Sequence, residues 1–342
     1  MRVRTSPAAR RNGLIRALAA VLLLATPVCV AGGQRATHAA GEIGVTHPRT
    51  GAPAGKPRPG KARRPAANGQ NYRPRPAIWK IADADTTIYL FGTIHVLPPG
   101  FRWRSAGLER VIAQSDTLLL ESLETDPAKG DLLLGAPTRG APKLAPLVDR
   151  VSPERRQLLI AFQRTLPVEA AQLMDGMPTW VAAMAIDLVR DLRSGEELAP
   201  GADDWLEAHF RAAGKRVEAI EDPSKVVKEV NAIPEAEQRR MLDTALLAEP
   251  RTLAQLRQPA HAWARGDMGP QSAVLVDFGV DGSPALQVPL ITRRNAQWAA
   301  RLAKRLRRPG TVLFAAGAGH FVGKDSVIEL LEKHGLKVTR VE

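Results

Sequence analysis

One pattern occurs twice in this chain and constrains it more than any other feature. Ile88-Tyr89-Leu90-Phe91-Gly92-Thr93-Ile94-His95 is a short apolar run, rich in β-branched and aromatic residues, that breaks at Gly and delivers a His. Thr311-Val312-Leu313-Phe314-Ala315-Ala316-Gly317-Ala318-Gly319-His320 repeats it near the other end. Each reads as a buried strand that ends at a glycine able to take a tight turn. Each places an imidazole just past the strand's C-terminal end, the edge where open α/β sheets bind ligands.

The likeness continues downstream. Ser105 to Gln114 carries Leu108, Val111 and Ile112 at helical spacing, and a strand Thr117 to Leu120 follows. Ser326 to His334 carries Val327, Leu330 and Leu331 at the same spacing, and a strand Lys337 to Val341 follows. The unit strand, Gly-x-x-His, helix, strand is therefore expected twice. Packed side by side, the two units would bring His95 and His320 together. Glu121 ends a run, Thr117-Leu118-Leu119-Leu120, that reads as a central buried strand. A carboxylate there should emerge at the same edge, and burying it calls for a cation or donor nearby. Trp79 and Ile81 suggest a first strand, in a hairpin with Thr86 to Phe91 across Asp83-Ala84-Asp85. Pro98-Pro99-Gly100 forces a loop after His95, with Phe101 and Trp103 packed beneath it.

The block from about 144 to 265 is mostly helical and reads as an insertion between the two units. Helices are expected from Ser152 to Arg164, Pro178 to Leu192, Asp204 to Ala213, from Asp222-Pro223 onward, Pro234 to Leu247 and Thr252 to Ala264. One short strand, Arg216 to Ile220, interrupts them and delivers Glu221. Val288 to Trp298 should be a helix or helix entry that aims Arg294 and Asn295. Asp277 and Asp281 read as part of a solvated Gly-rich loop. His209 and His261 read as ordinary helix residues, and His334 as a C-terminal residue favoured by the helix dipole.

Charge is informative through its location. The formal net charge is +13 for 342 residues. Residues 1–76 hold 14 Lys/Arg against the single acid Glu42, so the whole excess lies there. The rest is balanced and offers no net field to steer a nucleic acid, so none is expected as partner. Arg2, Arg4, Arg10, Arg11 and Arg16 precede an apolar core, Ala17 to Ala25, that is too short for a membrane span. Residues 1–31 therefore read as an export signal, and the protein as periplasmic or secreted. Residues 32–76 are rich in Pro, Gly, Lys and Arg and read as a disordered linker whose charge would allow peripheral contact with an anionic membrane. The folded domain is expected over residues 77–342. The only cysteine, Cys29, lies in the leader, which excludes a disulfide framework, a thiolate nucleophile and a Cys-based zinc site.

His-Glu-x-x-His, Gly-x-Ser-x-Gly, a phosphate-cradling Gly-rich loop and Cys-x-x-Cys are all missing. Two His and one or two Glu at strand ends remain. Imidazole nitrogen with carboxylate oxygen is a common donor set for a divalent ion that keeps an open position, and Zn, Mn or Co suits it. The same His residues could instead be structural, hydrogen-bonded beside tight turns.

Several short motifs, in order, give the chain a family likeness. They are Leu90-Phe91-Gly92-Thr93-Ile94-His95, Leu120-Glu121, Gly201-Ala202-Asp203, Glu218-Ala219-Ile220-Glu221, Trp263-Ala264-Arg265-Gly266-Asp267, Arg294-Asn295 and Gly317-Ala318-Gly319-His320. With these the chain resembles the TraB/PrgY/GumN family from about Ile78 to Val341. That family is related to the Tiki metalloproteases and more remotely to an EreA/ChaN-like fold. The resemblance implies an α/β fold with a mixed central sheet built from the two strand–Gly-x-x-His units. It implies a metal site at His95, Glu121 and His320, with Glu221, Arg294 and Asn295 as further catalytic candidates. It implies peptidase activity only for the Tiki branch. The reading taken forward is an exported metal-dependent hydrolase, peptidase-like, acting on a peptide or other small secreted substrate. Glu121 would be ligand or general base, and Arg294 or Asn295 would stabilise an oxyanion. The alternatives are a metal-independent His/Glu hydrolase and a non-catalytic protein that sequesters a secreted peptide or glycan precursor. Oligomeric state is left open.

Overall fold

The computed structural model describes residues 68–123, 144–269, 271–276 and 284–342. The expected export signal, most of the expected linker, Asp277 and Asp281 lie outside the described residues.

A six-stranded mixed sheet in the order β6-β4-β7-β2-β1-β8 organises the fold. β1 (Ile78–Ala82) and β2 (Thr86–Thr93) form the expected antiparallel hairpin, with Trp79 opposite Leu90. β7 (Gly310–Gly317) lies parallel to β2 on one side and to β4 (Thr117–Leu120) on the other. β6 (Arg216–Ala219) is parallel to β4 at one end of the sheet. The central strands read as nearly continuous apolar runs because both faces are covered, as parallel strands require. Phe91, Leu118, Leu120, Leu313 and Ala315 join one core. Ile88, Leu90, Leu119, Val312, Phe314 and Ala316 join the core on the other face.

The helices supply the covering layers. α1 (Ala106–Gln114) is capped by Ser105, whose Oγ accepts the Leu108 N–H at 3.0 Å, and it buries Leu108, Val111 and Ile112. Helices α2 (Arg156–Gln163), α3 (Val168–Gly176) and α4 (Thr179–Arg193) pack with α6 (Pro223–Asn231) and α7 (Glu235–Leu247) around a separate helical core. α5 (Ala202–Ala212) and α8 (Leu253–Ala264) belong instead to the core of the sheet. Trp263 Nε1–H in α8 donates to the Gly92 carbonyl at 2.7 Å, tying that helix to the end of β2. α9 (Arg293–Arg305) and α10 (Val327–Lys333) cover the opposite face.

Three expectations need correction. The block from 144 to 265 is not one insertion, because α5 and α8 bury their apolar faces on the sheet, β6 adds a strand to it, and only the remaining helices stand apart. The helix expected over Val288 to Trp298 is present: Pro284–Gln287 runs through a π-helical stretch, Val288–Thr292, around Pro289, which has no N–H for a regular ladder, into α9. The last strand is short: β8 (Thr339–Arg340) pairs antiparallel with β1, whereas β4 pairs parallel with β7. The two strand–turn–helix segments therefore diverge at their final strand. Residues as early as Asn68 belong to the packed body, ahead of the expected boundary at Ala77. Gln70 exchanges side-chain bonds with the Arg102 backbone at 2.7 Å, and Tyr72 Oη meets His261 Nδ1 at 2.7 Å.

Candidate functional site

Parallel strands lying side by side end at one rim, and each carries a candidate. In sheet order these are Glu221 two residues past β6, Glu121 directly after β4, His320 just past β7 and His95 just past β2. The register sets Thr93 opposite Gly317, so the residues that follow them leave the sheet at one level.

His320 is buried, with its ring tilted against Trp298 at 4.4 Å between centroids. Its tautomer follows from its neighbours. Asn295 Nδ2 donates to the Asp325 carbonyl at 2.9 Å, which turns Asn295 Oδ1 toward His320. Oδ1 can only accept, so His320 Nδ1 carries the proton in that 2.6 Å bond and Nε2 keeps the lone pair. Burial, more than the opposing pull of Glu121, pushes the imidazole down to about 3. His320 is therefore neutral at working pH.

His95 has the matching arrangement. Its Nδ1 lies 3.1 Å from Asp203 Oδ2, so in the neutral ring the Nδ1–H is directed at that oxygen and the lone pair lies on Nε2. Unlike His320 it is accessible, with its side chain 56% exposed. Gly201, before α5, is what lets Asp203 come this close. A Cβ at Gly201 would collide with the backbone of Ile94 and His95, and the Ala202 N–H donates to the Ile94 carbonyl at 2.9 Å. A small ribbon forms there, β3 (Val96–Leu97) with β5 (Ala199–Pro200), where a plain loop was expected.

Glu121 accepts the Gly317 N–H on Oε1 at 2.5 Å and Arg294 Nη2–H on Oε2 at 2.6 Å. Its Oε1 lies 4.0 Å from His320 Nε2. Burial alone would raise its pKa, but Arg294, His320 and His95, together with the Gly317 N–H, hold the carboxyl well below the usual range. Glu221 binds Arg294 Nε and Nη2 at 2.9 and 2.5 Å and accepts the Trp298 Nε1–H at 2.9 Å. Burial still leaves its pKa raised. Arg294 also donates from Nη1 to the Leu290 carbonyl at 3.0 Å and meets His320 Nε2 at 3.3 Å.

This geometry changes two expected roles. Every N–H of the Arg294 guanidinium has a partner, so none is left over for an oxyanion. Asn295 is fully buried and acts on His320, not on anything outside the protein. In the sequence Asp203 stands out only as part of a motif, and Trp298 does not stand out at all. An acid two residues after a glycine at a helix start was the available signal for Asp203. Trp298 lies one turn beyond Arg294 and so faces the same side of α9.

Does this donor set fit a divalent ion? In kind it does. Both imidazoles are held by an outer partner in the tautomer that offers Nε2, as metal-ligating His residues are. Glu121 is a firm anion beside them. Thr93 Oγ1 and Asp203 Oδ1, on either side of His95, are buried without a hydrogen-bond partner among the described residues. The spacing is that of a cluster drawn around a guanidinium. Among the described residues no group of three or more His, Cys, Asp or Glu stands close enough to hold an ion.

A cavity of about 350 Å³ opens beside His95, between the sheet rim, α4 and α8. No helix among the described residues is long and apolar enough to cross a membrane.

Comparison with known proteins adds the following. The family described as TraB/PrgY/gumN matches residues 77–340. A protein of Amphimedon queenslandica named "Metalloprotease TIKI homolog" is 24% identical over 328 residues, covering 77% of this chain and 61% of the relative. The chain thus spans about three fifths of that relative's length. No solved structure matches the chain.

Proposed function

The chain belongs to the TraB/PrgY/gumN family, and from that premise we propose that it is an exported, metal-dependent hydrolase, peptidase-like, acting on a peptide or other small secreted substrate. The observation that carries this reading is the delivery of Glu221, Glu121, His320 and His95 by neighbouring parallel strand ends to a single rim. The similarity to a protein named as a metalloprotease supports the reaction class. In finer detail, we read the two strand–Gly-x-x-His segments as copies of one unit in an EreA/ChaN-like fold.

His95, His320 and Glu121 would hold the ion. Once bound, it would supply Lewis-acid chemistry, polarising the carbonyl under attack. The protein's own residues prepare the site. Asn295 and Asp203 fix the imidazole tautomers. A general base works best with a pKa near the operating pH, and Glu121 lies far below it, so Glu121 suits the role of ligand and anion and not that of proton carrier. Arg294 keeps Glu121 and Glu221 from repelling each other and must release Glu121 and His320 for an ion to enter.

One observation favours a second reading. The half-exposed His95 with Asp203 behind it is a general base complete in itself, able to take a proton from water and return it to a leaving group. The two readings separate in one assay. Purified protein is incubated with a defined peptide mixture and the products are identified by mass spectrometry. The metal reading expects cleavage that a chelator stops and that Zn, Mn or Co restores. Chelator-resistant cleavage lost in His95→Ala would select the second. No cleavage under any of these conditions would remove both.

A further inference from the structure

The cavity beside His95 is not used by the chemistry described above, and its walls define what it can take. Leu188, Leu192, Leu198 and Leu256 line it, from α4, the segment before β5, and α8. None of them belongs to the three cores formed by the described residues, so their apolar surface does not contribute to those cores. Leu198 and Val96, which also line the cavity, are among the few large apolar side chains left exposed, at 46% and 47%. Exposed apolar surface around a concave site marks a place for an apolar ligand group.

The charges in the wall are already matched. Arg251 binds Asp191 at 2.5 Å and Arg257 binds Glu196 at 3.0 Å. The cavity therefore offers an incoming group no net charge and favours an uncharged one. Its volume, about 350 Å³, holds a large side chain with room to spare.

We propose that this cavity is a subsite for a large aliphatic side chain of a peptide substrate. The proposal rests on the hydrolase reading and supplies its substrate class. A peptide residue seated there puts its neighbouring amide beside His95, which shares the cavity wall.

The test is a binding measurement that needs no turnover. N-acetyl-leucinamide and N-acetyl-glycinamide are titrated into the intact protein and followed by ligand-observed NMR. The leucine compound is expected to bind about ten- to a hundred-fold more tightly. Leu188→Gln/Leu192→Gln should abolish that preference with an unchanged melting curve. Leu256→Gln, from the opposite wall, replaces the double variant should that one melt early. Equal binding of the two compounds, binding of neither, or a preference that survives the wall variants would overturn the proposal. Failure of the hydrolase reading would look different: retained leucine preference with no peptide cleaved.

Discussion

His320 shows how much of the site's behaviour follows from one buried ring. The unfolded imidazole takes up a proton below about pH 6.5, while the folded one does so only near 3. Between those values the unfolded state holds the extra proton, so stability falls as pH drops through the window. From pH 7 to 5 the expected loss is about 2 kcal/mol, at 1.36 kcal/mol per pH unit below 6.5. Glu121 also loses its contribution on acidification, but only below about 4.5, so it does not intrude on that interval. Urea unfolding at the two pH values, in chelator, measures the loss. His320→Gln should remove most of it and leave a smaller slope from His261, whose pKa burial also lowers. Arg294→Met strips the shared cation from Glu121 and Glu221 and is expected to cost about 3–5 kcal/mol, recovered in part by divalent ion. Thermal unfolding with and without Zn checks both halves of that statement. The placement of His95, Glu121 and His320 at strand ends was legible in the sequence because a strand that ends in Gly-x-x-His, or in Glu, is a local signal. The partners of Arg294 were not. They lie 173 and 73 residues away, and no local pattern states which carboxylate a guanidinium will reach.

At the scale of elements, the rim depends on backbone contacts that side-chain patterns do not announce. Gly201 is one: its Cβ position falls on the Ile94–His95 backbone. Gly201→Ala is expected to push α5 away, lengthen the His95–Asp203 bond and destabilise the protein by about 1–3 kcal/mol. Any hydrolytic activity should fall with it, and a melting curve beside a rate assay reads both. Strands and helices were legible wherever a run was long enough to show its period, as in β2, β7, α1 and α4. The β3–β5 ribbon was not, since strands of two residues have no period to read. The parallel placement of β6 beside β4 was missed for a different reason. A short strand amid helices looks like an interruption until its partner is known.

For the molecule as a whole, composition separated a basic N-terminal stretch from a charge-balanced body, and the family match over residues 77–340 coincides with that division. The body itself reaches further back, because Asn68, Gln70 and Tyr72 are held by Pro99, Arg102 and His261. A chain starting at Ala77 is therefore expected to unfold about 1–3 kcal/mol more easily than one starting at Asn68, which denaturant titration of the two would show. The account as a whole stands on the rim acting as a donor set for a divalent ion. The most direct measurement is calorimetric titration of chelator-stripped protein with Zn and Co, for the native sequence and for His95→Ala/His320→Ala. The expected result is about one ion per chain for the native sequence and binding more than about 100-fold weaker for the variant. Equal binding by the two proteins, or no binding by either, would contradict it.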